Sequence, residues 1–211
     1  MSGQKQEKLY FLLERGSTTI NTNDKKSDTD YMAFVSEKYK MPWDNTLKFT
    51  PRIFKSMMLG QWRRDNLIWF LRDINIGIVH EDDGTLKKIR SVLNKNVTIN
   101  LLAAGLIYAV NKKPLENCSP KRIDHHLQIM FFIKNSLESG SIDYTLSSFQ
   151  QDYIKDIKRK KRISLEDEAY IKNLYGTIRR IIPDYSENFF VSLIVEFGNN
   201  CKEILDYIET I

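Results

Sequence analysis

The stretch from Ile163 to Ile211 constrains this chain most, because its caps and breakers leave three short helices as the simplest regular reading. Ser164, with Asp167 three residues on, forms a capping box for the first. Its apolar positions, Ile171, Leu174, Ile178 and then Ile181 or Ile182, recur at helical spacing. Pro183 cannot continue that helix and biases Ile182 out of the α region. Asp184 or Ser186 can cap the second, whose core positions are Phe190, Leu193, Ile194 and Phe197. Gly198 offers a left-handed residue for its stop. Asn200, with Glu203 at the box position, restarts the chain into Ile204, Leu205, Ile208 and Ile211. The spacing predicts a compact three-helix bundle over 164–211.

The order of these signals resembles a known family. Ile181-Ile182-Pro183-Asp184, a hydrophobic helix, the Asn199-Asn200 turn and the closing Glu203-Ile204-Leu205-Asp206-Tyr207-Ile208 are similar to the CUE domain, a ubiquitin-binding relative of the UBA fold. The resemblance covers roughly Tyr170 to Glu209. The family's Met-Phe-Pro signature is here Ile181-Ile182-Pro183, and its closing di-leucine falls on Ile208-Glu209, which puts a charge at the second anchor. The resemblance implies a weak site for ubiquitin or a ubiquitin-like protein at Ile181, Ile182, Pro183, Ile208 and Glu209. An interface that small implies micromolar affinity or weaker.

The rest of the chain reads as helical too. Residues 1–30 are expected to be a disordered or loosely docked tail: Tyr10-Phe11-Leu12-Leu13 is an isolated apolar cluster that docks on its own protein or on a partner, and Asn21 to Asp30 offers nothing to bury. Asp30 caps a short helix through Tyr31, Phe34, Val35 and Lys38. Thr50-Pro51 opens another, with Ile53, Phe54, Met57 and Met58 inward. Trp62, Leu67, Ile68, Trp69, Leu71 and Ile74 mark an aromatic-rich core helix ending near Gly77, and Ile76 to Val79 allows a short extended piece. Glu81-Asp82-Asp83-Gly84 lacks the spaced oxygen ligands of a calcium loop and reads as a polar turn before a helix from Thr85. Val97 to Val110 is too apolar to lie in a DNA groove and reads as a buried core helix. Lys121 to Glu138 follows, closed by Gly140, and Tyr144 to Arg162 connects to the terminal bundle, with a break between Arg162 and Ser164. These expectations amount to an all-α protein: a tail over 1–30, a helical domain over 31–140, a basic connecting helix over 141–163, and the CUE-like bundle over 164–211.

The chemistry of the sequence is that of a binder. It has no phosphate-cradling glycine loop and no Gly-x-Ser-x-Gly elbow, so it reads as non-enzymatic, without cofactor. His125 and His126 are adjacent and point to different helix faces, so no metal site is expected. No apolar run reaches the length of a membrane span, and the N-terminus lacks a signal peptide's hydrophobic stretch. Two distant cysteines, Cys118 and Cys201, point to the reducing cytoplasm or nucleus. The net charge of +5 is concentrated in Lys155, Lys158, Arg159, Lys160, Lys161 and Arg162, set against Asp156 alone. Three functions follow from the sequence. The first is an interaction protein that binds ubiquitin through the bundle and docks onto subunits of a larger complex. The second is a nucleic-acid binder using the basic run, aided by Lys87, Lys88, Arg90, Lys121 and Arg122. The third is a structural adaptor whose CUE-like bundle no longer binds ubiquitin, as the charge at Glu209 suggests.

Overall fold

The computed structural model describes residues 7–15, 30–42, 46–61, 64 and 66–211. Their order is β1 (Leu9–Arg15), β2 (Asp30–Val35), β3 (Thr46–Phe49), α1 (Pro51–Met58), α2 (Asn66–Ile76), β4 (Ile78–Asp82), α3 (Thr85–Asn96), α4 (Ile99–Lys112), a 3-10 turn at Leu115–Asn117, α5 (Pro120–Ser139), α6 (Ser148–Arg159), α7 (Leu165–Arg179), α8 (Glu187–Asn200) and α9 (Lys202–Thr210). They form two compact units. The described residues up to Asn96 and those from Ile194 to Ile211 form one, and Val97–Leu193 forms the other.

The first unit is built on a four-stranded mixed sheet in the order β3-β2-β1-β4. β1 is antiparallel to both β2 and β4, and β3 joins β2 in parallel. The central strands are covered on both faces. On one, Phe34 stacks on Phe11 at 5.4 Å between ring centroids and meets Phe54 of α1 edge-on at 5.9 Å; Phe70 of α2 then packs on Phe54 and Phe49. On the other, Leu12, Ala33 and Val35 pack with Tyr31, Tyr39 and Met41. Each fully buried phenylalanine stabilises the fold by roughly 1.5–3 kcal/mol. Thr50 caps α1 by accepting from the Ile53 N–H, and Pro51 fills the first turn. Asp82 accepts from the N–H groups of Gly84 and Leu86, both at 2.9 Å, and Asp83 from Thr85, so the acidic turn caps α3 as expected. α9 lies on α1 and α3 of this unit.

The second unit is helical. α4 is its core, buried at every position from Leu101 to Val110, with α5 and α7 against it. Gly140, at φ +72°, ends α5 in the left-handed conformation glycine tolerates best. Both α6 and α7 open with a full capping box, Ser147 with Gln150 and Ser164 with Asp167. The connecting helix expected over 141–163 is shorter, Ser148–Arg159, so the break before Ser164 opens at the extended Lys160, ahead of the expected Arg162–Ser164 junction.

The structure corrects the all-α expectation, and the reason lies in β1 and β2. The Tyr31, Phe34, Val35 spacing fits a helix, yet all of Met32 to Val35 is buried because the strand is covered on both faces. Asp30 is the first residue of β2 and caps no helix, and Tyr10 to Leu13 lies in a central strand of the sheet. The expectation of disorder over residues 21–29 lies outside the described residues, as do Trp43 and Trp62. The units also cut across the expected boundaries at 31–140, 141–163 and 164–211. The stretch 164–211 gives α7 to one unit and α9 to the other, and the division falls inside α8. Gly198, expected as a helix stop, lies inside α8 with no left-handed φ. A β-carbon there would fall on the carbonyl oxygen of Met58, the last residue of α1, so glycine serves close packing.

Candidate functional site

The turn from α6 to α7 gathers the most charge-bearing side chains around one small depression. Lys160 leaves the end of α6 and its ammonium bridges two carboxylates, Asp156 at 2.6 Å and Asp167 at 2.7 Å. Asp167 is also the third residue of α7, where Ser164 Oγ accepts from its backbone N–H at 3.1 Å. The Tyr153 hydroxyl donates to the same carboxylate at 3.4 Å. Burial alone would raise the Asp167 pKa, but the hydrogen bonds from Lys160 and Ser164 outweigh it and hold the carboxyl below its usual range. Lys160 is held above the usual lysine range by Asp156 and Asp167. The Tyr153 ring lies edge-on to Tyr170 at 5.1 Å, and Phe149 stacks over it while staying 68% exposed.

Beyond this knot the chain opens a cleft of about 390 Å³ between the start of α5 and the turn. Leu115, Ile123, Ile163 and Ile171 supply its apolar surface, and Lys161, Arg162, Lys172, Glu116 and Glu168 its charges. Lys172 is engaged by Glu168 at 2.6 Å. Lys161 and Arg162 are exposed and have no ion-pair partner among the described residues. The Cys118 thiol lies 3.4 Å from the Pro114 carbonyl oxygen, and burial pushes its pKa up despite Arg122 and Lys113 nearby. A protonated thiol is a poor nucleophile. The cleft thus sets two cations, without ion-pair partners among the described residues, beside an aliphatic floor.

The residues implied by the CUE resemblance fall differently. Ile182 is 5% exposed and Ile208 2%. Ile181 is half-buried and Pro183 exposed. Arg179 donates to the carbonyls of Ile182 and Pro183, which fixes the end of α7. Glu209 is exposed and paired with Lys55 of α1, whose hydrogen bond holds its carboxyl below the usual range. Ile181, Ile182 and Pro183 belong to one unit, and Ile208 and Glu209 to the other.

The basic run is mostly engaged. Lys155 pairs with Asp152 at 3.6 Å, Lys160 with two carboxylates, and Lys158 and Arg159 also have partners. Of its supposed helpers, Lys88 sits over the Tyr207 ring and Arg90 donates to the Ile74 carbonyl at the end of α2. Lys121 and Arg122 are exposed at the start of α5. Among the described residues, no group of three His, Cys, Asp or Glu side chains could hold a metal. His80 faces Glu14, and His126 Nδ1 lies 2.9 Å from the Arg122 carbonyl oxygen.

Sequence reasoning missed the cleft because its parts lie far apart in the chain. Its only local signal was the pair Lys161-Arg162 ahead of a hydrophobic residue and a new cap. No family model, no curated protein and no solved structure matches this chain. No helix among the described residues is long and apolar enough to cross a membrane.

Proposed function

We propose that this is a non-enzymatic adaptor of the nucleus or cytoplasm that docks onto a larger complex, and that its CUE-like C-terminal pattern serves internal packing instead of ubiquitin. The burial of Ile182 and Ile208 carries the reading. A ubiquitin site made from these residues needs them exposed to meet an apolar patch, and withdrawing them from their core would leave cavities costing about 2–5 kcal/mol each, as truncating such side chains does. Micromolar binding yields about 8 kcal/mol in all, so little would remain. Glu209 adds to this, since its carboxylate would be desolvated against that patch and drawn away from Lys55. The two cysteines, both free thiols, fit a reducing compartment.

Titration of isotopically labelled ubiquitin with the whole chain tests the proposal. The expected result is no resonance shift at millimolar protein. Shifts centred on ubiquitin's apolar patch, abolished by Ile182→Asp or Ile208→Asp in a protein that still folds, would restore the ubiquitin reading. The docking half is tested by purifying the tagged protein at native abundance, where a stoichiometric complex is expected and a lone monomer would count against it.

A further inference from the structure

The chemistry of the cleft at the α6–α7 turn goes beyond adaptor function in general, although it rests on that reading. We infer that this cleft docks a short acidic segment of a partner protein, seating one hydrophobic side chain on Leu115, Ile123, Ile163 and Ile171 and placing flanking carboxylates against Lys161 and Arg162.

The volume sets the scale. About 390 Å³ lies near the lower end of ligand pockets, roughly 300–1,000 Å³, and suits a few residues of peptide more than a folded surface. Charge sets the sign. Once Lys172 and Glu168 have paired, the rim keeps Lys161 and Arg162 against Glu116, and Lys113 and Arg122 lie close enough to act on Cys118 beside it. The positive excess complements acidic residues and repels basic ones. Among the described residues Lys161 and Arg162 have no ion-pair partner, in a segment where their neighbours are tied: Lys160 holds two carboxylates, Lys155 holds Asp152, and Lys158 and Arg159 are engaged. The capping box at Ser164 and the Lys160 bridge also fix the turn from which both free cations project, so little ordering is needed on binding.

Nucleic acid fits less well. Single-strand binders combine a basic track with aromatic platforms for the bases, and no aromatic residue lines this cleft. The basic run is also a poor track, because Lys155 and Lys160 are paired with this chain's own carboxylates and Lys158 and Arg159 are engaged. An aliphatic floor contributes nothing to a phosphate backbone and a good deal to a leucine or phenylalanine.

A random-peptide phage library panned on the whole chain, in parallel with the Lys161→Glu/Arg162→Glu variant, tests the inference. Both residues are exposed, so the variant is expected to keep the wild-type circular dichroism spectrum and melting temperature. Wild-type protein should enrich peptides with a hydrophobic residue flanked by Asp or Glu. By fluorescence anisotropy these should bind the double variant at least about tenfold more weakly and lose affinity with added salt. Amide shifts on peptide addition should centre on Ile123, Ile163 and Ile171. Enrichment of basic or uncharged peptides, no enrichment, or equal binding by the variant would overturn it. So would a single-stranded oligonucleotide that binds in the same assay and shifts the same amides. A native-abundance complex that survives in the double variant would refute this cleft as the docking point and leave the adaptor reading standing.

Discussion

Replacing Gly198 with alanine sets two effects of known size against each other. Alanine is the better helix former by about 0.8–1.0 kcal/mol, so propensity alone makes Gly198→Ala stabilising. Packing opposes it. The new β-carbon would meet the Met58 carbonyl oxygen inside the separation real β-carbons keep, with the Met58 carbonyl carbon 3.3 Å away. Backbone cannot swing aside as a long side chain can, so α8 must shift from the end of α1. Overpacking of this kind costs about 1–3 kcal/mol. The net expectation is a loss of up to about 2 kcal/mol, or a fall in melting temperature of up to roughly 8 °C at 2–4 °C per kcal/mol. Gly176→Ala in α7 is the control, because a β-carbon there meets nothing within 4 Å. It should stabilise its own unit through propensity alone, by about 0.5–1 kcal/mol, and so raise the melting temperature. Thermal and urea melts by circular dichroism read both. If Gly198→Ala stabilises as much as Gly176→Ala, α8 does not approach α1 as described, and the argument for why glycine occupies that position fails.

Three further outcomes are expected. Asp167→Asn should lower stability by about 1–2 kcal/mol at neutral pH, since it weakens the cap of α7 and the link to Lys160. Because the folded Asp167 pKa is depressed, its contribution is present above the unfolded carboxylate value near 4 and is lost as pH falls through the lower folded value. The gap between wild type and variant in urea midpoint should therefore close in acid, and a gap that persists unchanged would contradict the assignment. Lys160→Ala should speed tryptic cleavage after Lys161 and Arg162 by loosening the turn, and mass spectrometry showing unchanged cutting rates would mean the bridge does not restrain it. Glu209→Leu restores the CUE-like anchor in sequence, yet it should create no ubiquitin binding, because Ile208 beside it stays in the core; ubiquitin amide shifts that appear only with this variant would refute that.

The local punctuation of the chain was legible where one residue does one job. Thr50-Pro51, the acidic turn before Thr85, Gly140 and the Ser164–Asp167 box all act through their nearest backbone groups, and each is where the sequence placed it. The sheet was illegible for a physical reason. A strand with one wet face alternates polar and apolar residues, whereas Tyr10 to Leu13 and Met32 to Val35 are buried on both faces and read as unbroken apolar runs. β4 was legible only in part, as the short extended piece allowed over Ile76 to Val79: Ile78 to Asp82 is exposed throughout, so only its pairing with β1 makes it a strand. Gly198 reads in sequence as a stop, because the carbonyl that requires glycine there belongs to α1, far away in the chain.

The C-terminal pattern shows why apolar spacing specifies less than it suggests. Ile171, Leu174, Ile178, Phe190, Ile194, Phe197, Ile204 and Ile208 are buried, whereas Leu193, Leu205 and Ile211, expected in the core with them, are only partly buried. The periodicity therefore identified most of the inward positions while saying nothing about what they face. A free-standing three-helix bundle must bury those positions against one another and leave a few at its ends for a partner. Here α7 has α4 and α5 available, and α9 has α1 and α3, so the same positions are satisfied by other helices of the chain. What such packing leaves exposed is a different set: Leu165 at 86%, Phe149 at 68%, and the cations Lys161 and Arg162. Recognition by this protein is accordingly expected from the turn between α6 and α7, where these side chains stand outside the core. Of the positions that most resemble a binding motif in sequence, Ile182 and Ile208 are already occupied by the protein's own interior.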